Sequence, residues 1–268
     1  MRTTWRPFVS YNLWSLFEPA IGREQWHCPM KRGFAKARKK EPEIAALLQQ
    51  DSEAQTVGLL VQQGIYEFHQ DLYFLSRSNG VRQISRILRL ETQPLEIRDR
   101  VTQILRQYHA NPVLLGKDFL LLSRGDEGFP DPIVIRDQNR EFNLFAAIDC
   151  IVTEPDETLH IIDIKTGRSD FDLRQAYVYL LAVQYLYPNR SVIASFYNVE
   201  SQQWSHPITA TPNQLKVLQA ELIRIAQQHQ QDLQRYKQDP QNFAKFFPPN
   251  AGHQCRACQF NSVCQFAV

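Results

Sequence analysis

Cysteine is scarce in this chain: five among 268 residues, too few for a disulfide framework to staple a fold of that length. Long apolar runs are missing as well. No stretch approaches the roughly eighteen consecutive apolar residues of a membrane span, and the N-terminal MRTTWRPFVS has no hydrophobic leader segment. Neither sign of charge dominates, because thirty Lys and Arg stand against twenty-eight Asp and Glu, a net charge of +2. The first two absences argue against export and predict a cytoplasmic protein in a reducing compartment, with no membrane partner. In that setting cysteines serve as metal ligands or free thiols. The third means that overall charge does not announce a nucleic-acid partner. What remains, 43% hydrophobic and 22% charged residues, is the composition of an ordinary globular chain able to bury a substantial core.

Charge is local rather than global. The stretch KRGFAKARKK carries six basic residues in ten positions (Lys31, Arg32, Lys36, Arg38, Lys39, Lys40) and no acid. Such a run is either a solvated face or an electrostatic footprint for phosphates. PEIAALLQQ and TVGLLVQQGIYEFHQDLYFL space their apolar residues at three and four, which predicts helices through the first 75 residues. Two further helical stretches follow, separated near Pro94. In the first of them Arg82, Arg86 and Arg89 share a face at i, i+4 and i+7. That face is either solvated or a basic arm along a DNA path.

From Phe142 the texture becomes that of strands. FNLFAAIDCIVTE and TLHIIDIKTG are rich in β-branched and aromatic residues and predict paired strands joined across PDE. FDLRQAYVYLLAVQYLY predicts a helix ended by PNR, and SVIASFYNVE and QWSHPITA predict two more strands. TPNQLKVLQAELIRIAQQHQQDLQRYKQ predicts a long amphipathic helix with a Thr-Pro start. No internal repeat is visible. The order is that of an α/β core with an N-terminal helical layer.

The strand pair carries the chemistry. Asp163 and Lys165 lie two residues apart and share one face of a strand. Asp149, in the preceding strand, is flanked by apolar residues and is expensive to bury unless something cationic meets it. Two carboxylates on paired strands repel, and a divalent metal resolves the repulsion. A lysine beside them suits stabilisation of a charged, phosphorane-like transition state. A plain Asp163–Lys165 salt bridge is the structural alternative. On the helix that follows, Gln175 and Tyr179 fall on one face at i and i+4.

In chain order, Asp149, Asp163-Ile164-Lys165, Thr166-Gly167 and Gln175-x-x-x-Tyr179 resemble the RecB-like branch of the PD-(D/E)XK nuclease superfamily. The resemblance implies an α/β fold with a central mixed sheet flanked by helices. It also implies Mg²⁺ or Mn²⁺ held by Asp149 and Asp163, with the Ile164 carbonyl as an additional ligand. Lys165 becomes the catalytic lysine, and Gln175 and Tyr179 become the pair that holds the site and the DNA. Lys31, Arg32, Arg168 and Arg174 become candidate contacts to DNA, single-stranded by analogy with the family. The branch carries a metal-binding histidine in a Gly-x-x-aliphatic-His pattern on an N-terminal helix. Gly58 and Val61 fit that pattern, but the histidine position is Gln62, whose amide oxygen becomes the candidate ligand. An alignment starting from Gly64 uses Glu67 or His69 instead.

The closing GHQCRACQFNSVC holds Cys255, Cys258 and Cys264. CRISPR-associated RecB-like and AddB-type nucleases carry a [4Fe–4S] cluster on one cysteine before the core and three after it, the latter spaced Cys-x₂-Cys-x₅-Cys. The resemblance therefore implies Cys28, in WHCPMKRGF, as the fourth ligand. Cys150 is left over as a small buried hydrophobe. Four thiolates suit either zinc or an iron–sulfur cluster, and the resemblance favours the cluster. The organisation it implies is one nuclease domain over 1–268: an N-terminal helical part (1–75), a helical insertion (76–140), a catalytic core (141–210) and a C-terminal helix with the cysteine tail (211–268). The function it implies is a metal-dependent DNA nuclease acting as a single-strand exonuclease, in repair, recombination or CRISPR adaptation with their protein partners. The alternative is a catalytically weak DNA-binding scaffold of the same fold.

Overall fold

The structure, a computed structural model, describes residues 6–137, 140–167 and 171–268. Its strands are β1 (Phe8–Ser10), β2 (Asp118–Leu122), β3 (Ile133–Asp137), β4 (Arg140–Phe145), β5 (Cys150–Thr153), β6 (Leu159–Lys165), β7 (Val192–Asn198) and β8 (Gln203–Trp204). The N-terminal helices are α1 (Tyr11–Ser15), α2 (Pro29–Arg32), α3 (Pro42–Leu48), α4 (Glu53–Gln70), α5 (Tyr73–Ser76), α6 (Gly80–Ile87) and α7 (Leu95–Ala110). Then come α8 (Leu173–Leu186), α9 (Pro212–Gln238) and α10 (Phe243–Phe246). The chain divides into two compact units, one of residues 1–50, 132–145 and 216–268, the other of residues 51–131 and 146–215.

The second of these units is built on a five-stranded sheet in the order β2-β5-β6-β7-β8. β5 pairs antiparallel with both β2 and β6, whereas β6 and β7 run parallel. A parallel pair needs a crossover, and α8 supplies it. One face of the sheet packs on α4, α6 and α7. Val57, Val61, Ile65 and Phe68 of α4 meet Val101, Ile104, Leu105 and Tyr108 of α7, with Cys150, Val152, Ile162 and Tyr197 from the strands beneath. The four α4 residues recur at three and four, so they form one stripe. α4 begins at a capping box in which Ser52 and Gln55 satisfy each other's backbone N–H groups. Gly64 lets the helices approach closely: a methyl there would fall 2.6 Å from the Leu105 side chain.

The other unit holds a three-stranded sheet, β1-β4-β3, with β1 parallel to β4 and β3 antiparallel to it. Residues 216 onward of α9 belong here and bury Leu222, Ile223, Ile225, Ala226 and His229. A small core of Met30, Phe34, Ile44 and Phe260 gathers the first helices and the cysteine tail, with Cys28, Cys258 and Cys264 packed against it.

The mixed α/β architecture agrees with the sequence, and three local expectations are corrected. The first 75 residues are not all helical, because Phe8–Ser10 pairs with β4. The 76–140 segment is helical only to Ala110; beyond it, β2 forms an edge strand of the larger sheet and β3 joins the smaller one. FNLFAAIDCIVTE is not one strand. It breaks over residues 146–149, and its halves enter different sheets as β4 and β5.

Candidate active site and cysteine pocket

The pleat of β6 turns Ile162 and Ile164 toward the helical core and Asp163 and Lys165 to the opposite face. Asp163 is 3% exposed. The Lys165 ammonium lies 2.6 Å from its Oδ2. The ammonium is the cation that meets this buried oxygen. The salt bridge anticipated as the structural alternative is therefore present, and it is embedded in a larger network. Gln175 Nε2 donates to Asp163 Oδ1 (3.2 Å) and to the Tyr179 hydroxyl (2.7 Å), while Gln175 Oε1 accepts from Lys165 Nζ (3.0 Å). Tyr179 in turn donates to the Ala147 carbonyl at 2.6 Å. α8 can present this pair because Asp172 caps its N-terminus by accepting from the Arg174 N–H.

Asp149 sits half-buried immediately before β5. Its Oδ2 accepts from the Ile164 backbone N–H (2.8 Å) and its Oδ1 from Gln62 Nε2 (3.1 Å). Ile164 thus enters through its N–H, and Gln62 enters as a donor. Gln62 Nε2 also reaches the Ser123 carbonyl at 3.3 Å. The Gln62 carbonyl oxygen lies against Gly125, where a methyl would fall 2.7 Å from it. Gly125 has φ +89°, a backbone conformation that favours glycine, and a side chain there would also displace the Gln62 amide.

Burial, followed by repulsion from Asp163, pushes the Asp149 carboxyl up to about 7, against the two hydrogen bonds and Lys165. Burial raises Asp163 as well, and Lys165 holds it back. The Tyr179 phenol is driven far above its ordinary value by burial and by both carboxylates, so it remains a donor. Two carboxyls raised by burial and set side by side fit a hard divalent cation. No three His, Cys, Asp or Glu side chains converge on one point among the described residues. Further ligands would come from amide, backbone or water oxygens, as suits Mg²⁺.

The rival histidine alignment leads elsewhere. Glu67 pairs with Arg124 at 3.1 Å. His69 hydrogen-bonds with the Tyr108 hydroxyl at 2.5 Å, and burial lowers its imidazole to about 4.

Two supports of the site were not read from the sequence. The turn after Lys165 is clamped: Glu200 accepts from the Gly167 N–H (2.7 Å) and pairs with Arg100 of α7 (2.9 Å), and Asn198 donates to the Gly167 carbonyl (2.7 Å). Gly167 has φ +87°, and a glycine two residues after the strand's last residue, Lys165, was the available signal. The second support is the Ser123–Gly128 turn, where Glu127 accepts from the N–H groups of Arg124 and Gly125.

Cys28, Cys255, Cys258 and Cys264 line one pocket, with Met30, Lys31, Phe34 and Phe260 around them. All four are free thiols, partly buried. The Asn250 N–H donates to Cys28 Sγ at 3.4 Å, and Cys264 Sγ lies 3.6 Å from the Met30 sulfur. Successive turns bond the Cys258 N–H to the Cys255 carbonyl and the Asn261 N–H to the Cys258 carbonyl. Cys150 is fully buried in the other unit, its thiol pushed up to about 12 by burial.

The basic candidates separate. Lys31 borders the cysteine pocket. Arg32 is corrected: it is 5% exposed, bonded to Asp232 at 2.7 Å and stacked 3.8 Å over Phe17, so it serves the fold and not a DNA strand. Arg174 pairs with Asp172 at 2.5 Å beside the α8 cap. Arg168 lies outside the described residues.

Residues 27–265 match the family model of the PD-(D/E)XK nuclease superfamily. Comparison with curated proteins finds no match. Among solved structures, one described as "Crystal structure of SSO0001" is similar at 14% identity and a TM-score of 0.32, covering 77% of this chain and 94% of its own.

Proposed function

Because the chain belongs to the PD-(D/E)XK nuclease superfamily, we propose that it hydrolyses DNA phosphodiester bonds with Mg²⁺ or Mn²⁺ held by Asp149 and Asp163. The observation that carries this is the pair of carboxyls itself, Asp163 and Asp149, both raised by burial and brought together beside Lys165. A cation bound there supplies Lewis-acid stabilisation of the charge that builds on the phosphoryl oxygens. Lys165, pinned by Asp163 and the Gln175 carbonyl and about 30% exposed, presents an ammonium toward the same charge. Gln175 orients both Asp163 and Lys165, and Tyr179 anchors Gln175 to the Ala147 backbone. The finer reading is a single-strand exonuclease of the RecB-like branch, serving repair, recombination or CRISPR adaptation as one nuclease domain. Its structural [4Fe–4S] cluster would rest on Cys28, Cys255, Cys258 and Cys264. What favours this reading is that the four line one pocket and an N–H meets the Cys28 sulfur, although no three of them converge on one point among the described residues. Zinc is the other occupant that four thiols would suit.

A second reading, a DNA-binding scaffold with weak or no catalysis, is favoured by Gln62, which meets Asp149 as a donor and not as an oxygen ligand. The two separate cleanly on labelled single- and double-stranded DNA with Mg²⁺ or Mn²⁺, alongside Lys165→Ala. Metal-dependent cleavage that disappears in the variant is expected. Binding without cleavage under either metal would overturn the nuclease in favour of the scaffold.

A further inference from the structure

The α6–α7 segment plays no part in the carboxylate site beyond Arg100, yet its composition is one-sided. Between Arg77 and Ala110 there are seven arginines, no lysine and three acids. Arg98 pairs with Asp99 and Arg100 with Glu200. Arg82, Arg86, Arg89 and Arg106 make no ion pair or side-chain hydrogen bond among the described residues.

Two of these four face a cavity of about 460 Å³ lined by Ser78, Val81, Arg82, Ser85, Thr102, Arg106 and His109. The lining falls into two matched stripes. Ser78, Arg82 and Ser85 recur at i, i+4 and i+7 along α6 and the turn before it, and Thr102, Arg106 and His109 recur at the same spacing along α7. Among the described residues no carboxylate borders the space. Ser85 spends its proton on the Val81 carbonyl (2.8 Å), and His109 Nε2 is occupied by the carbonyls of Phe74 (3.2 Å) and Arg77 (3.0 Å). The donors left over are two guanidiniums and the hydroxyls of Ser78 and Thr102. A guanidinium fork on each wall, flanked by a hydroxyl and unopposed by acid, suits tetrahedral phosphate oxygens.

We propose that this cavity is a phosphate site for a single-stranded nucleic-acid strand, anchoring its backbone apart from the carboxylates that cut it. The proposal rests on the nucleic-acid reading above and assigns a function to the insertion. Phosphate contacts position a strand without reading its sequence, so the site makes binding insensitive to base identity.

The test uses full-length protein, a fluorescein-labelled dT 20-mer and EDTA, so that binding is read without cleavage. Arg82→Ala/Arg106→Ala should weaken anisotropy-measured affinity about tenfold at low salt. It should also reduce the slope of log K against log salt by about 1.4, the share of two phosphates on a single strand. Hydrolysis of the small diester bis(p-nitrophenyl) phosphate should not change. Arg82→Lys/Arg106→Lys should recover most of the affinity, which a folding defect would not allow. An unchanged affinity and slope would overturn the proposal while leaving the nuclease standing. If in addition inorganic phosphate raises the melting temperature of the wild type but not of the alanine variant, the cavity takes a small phosphate and the strand assignment is overturned. Failure of the wild type to bind the oligonucleotide at all would instead remove the nucleic-acid reading itself.

Discussion

The Lys165–Asp163 pair gives a quantitative handle on the site without any turnover. Lys165→Met keeps most of the aliphatic bulk but removes the ammonium 2.6 Å from Asp163 Oδ2, leaving that carboxylate with one hydrogen bond, from Gln175. Breaking a buried pair by removing one partner costs about 3–5 kcal/mol. The Asp163 side chain is 4% exposed, but that of Lys165 is 30% exposed, so solvent already screens part of the attraction and about 2 kcal/mol is the expected loss in metal-free protein. For a chain of this size that is roughly 4–8 °C in melting temperature. The pH dependence has a definite sign. Without the ammonium, the folded-state pKa of Asp163 rises further above its unfolded value. A raised carboxyl favours the fold at low pH, and that advantage is lost as pH rises through the folded pKa. The deficit of Lys165→Met against wild type should therefore be small at pH 5 and largest at pH 8, read by thermal denaturation in EDTA. Asp163→Asn in the Lys165→Met background should restore most of the loss, because it removes the stranded charge. Equal melting temperatures for wild type and Lys165→Met at pH 8, or no rescue by Asp163→Asn, would refute the pairing argument.

Three further expectations concern other parts of the molecule. His229 is 1% exposed, neither ring nitrogen has a hydrogen-bond partner among the described residues, and burial with Arg32, Lys36 and Lys39 lowers it to about 3. A depressed base costs stability as pH falls below its unfolded value, so about 2 kcal/mol should be lost between pH 8 and pH 5, and His229→Phe should flatten that part of a melting profile. Cys28→Ala and Cys258→Ala should each abolish bound metal and any broad absorbance near 400 nm (about where thiolate-ligated iron absorbs) in anaerobically purified protein. Cys150→Ala should retain both, at a packing cost of about 1 kcal/mol. Gln62→His should tighten Mn²⁺ binding about tenfold in calorimetry by exchanging an amide donor for an imidazole ligand; an unchanged affinity would place position 62 outside the metal's reach.

What was legible in the sequence was legible for local reasons. Asp163 and Lys165 share a face because a strand repeats every two residues, and Gln175 and Tyr179 share one because a helix repeats near four, so neither needed tertiary information. The long periodic helices α4, α7 and α9 were visible on the same grounds. The failures are non-local. β1 is three residues long and exists only because β4, more than 130 positions later, offers it a partner. β2 has a register shift between Phe119 and Leu121, which blurs the alternation that would have marked it as a strand. Arg32 stood in a basic run read as either a solvated face or a footprint for phosphates, and only the position of Asp232, two hundred residues on, turns it into a buried ion pair. Gln62, read as an oxygen ligand, lies beside Asp149 as a donor, and whether an amide presents its oxygen or its nitrogen is decided by neighbours such as Gly125 and Ser123.

The two carboxylates of the site are compensated in different currencies. Asp163 has a cation, Lys165, which holds its raised carboxyl back. Asp149 has neutral donors, the Ile164 N–H and the Gln62 amide, which satisfy its oxygens but leave its charge beside Asp163. Hydrogen bonds from neutral groups stabilise a carboxylate less than a cation in contact does. Burial raises both carboxyls, Asp149 up to about 7 with repulsion from Asp163 added and Asp163 against the pull of Lys165, so a divalent cation would relieve both. Asp163 already has its countercharge, so a cation held by the two carboxylates would compete with Lys165 for Oδ2. Gln175 would still accept from the ammonium. On the nuclease reading, that would leave the lysine free to meet a phosphate once the carboxylates are otherwise neutralised.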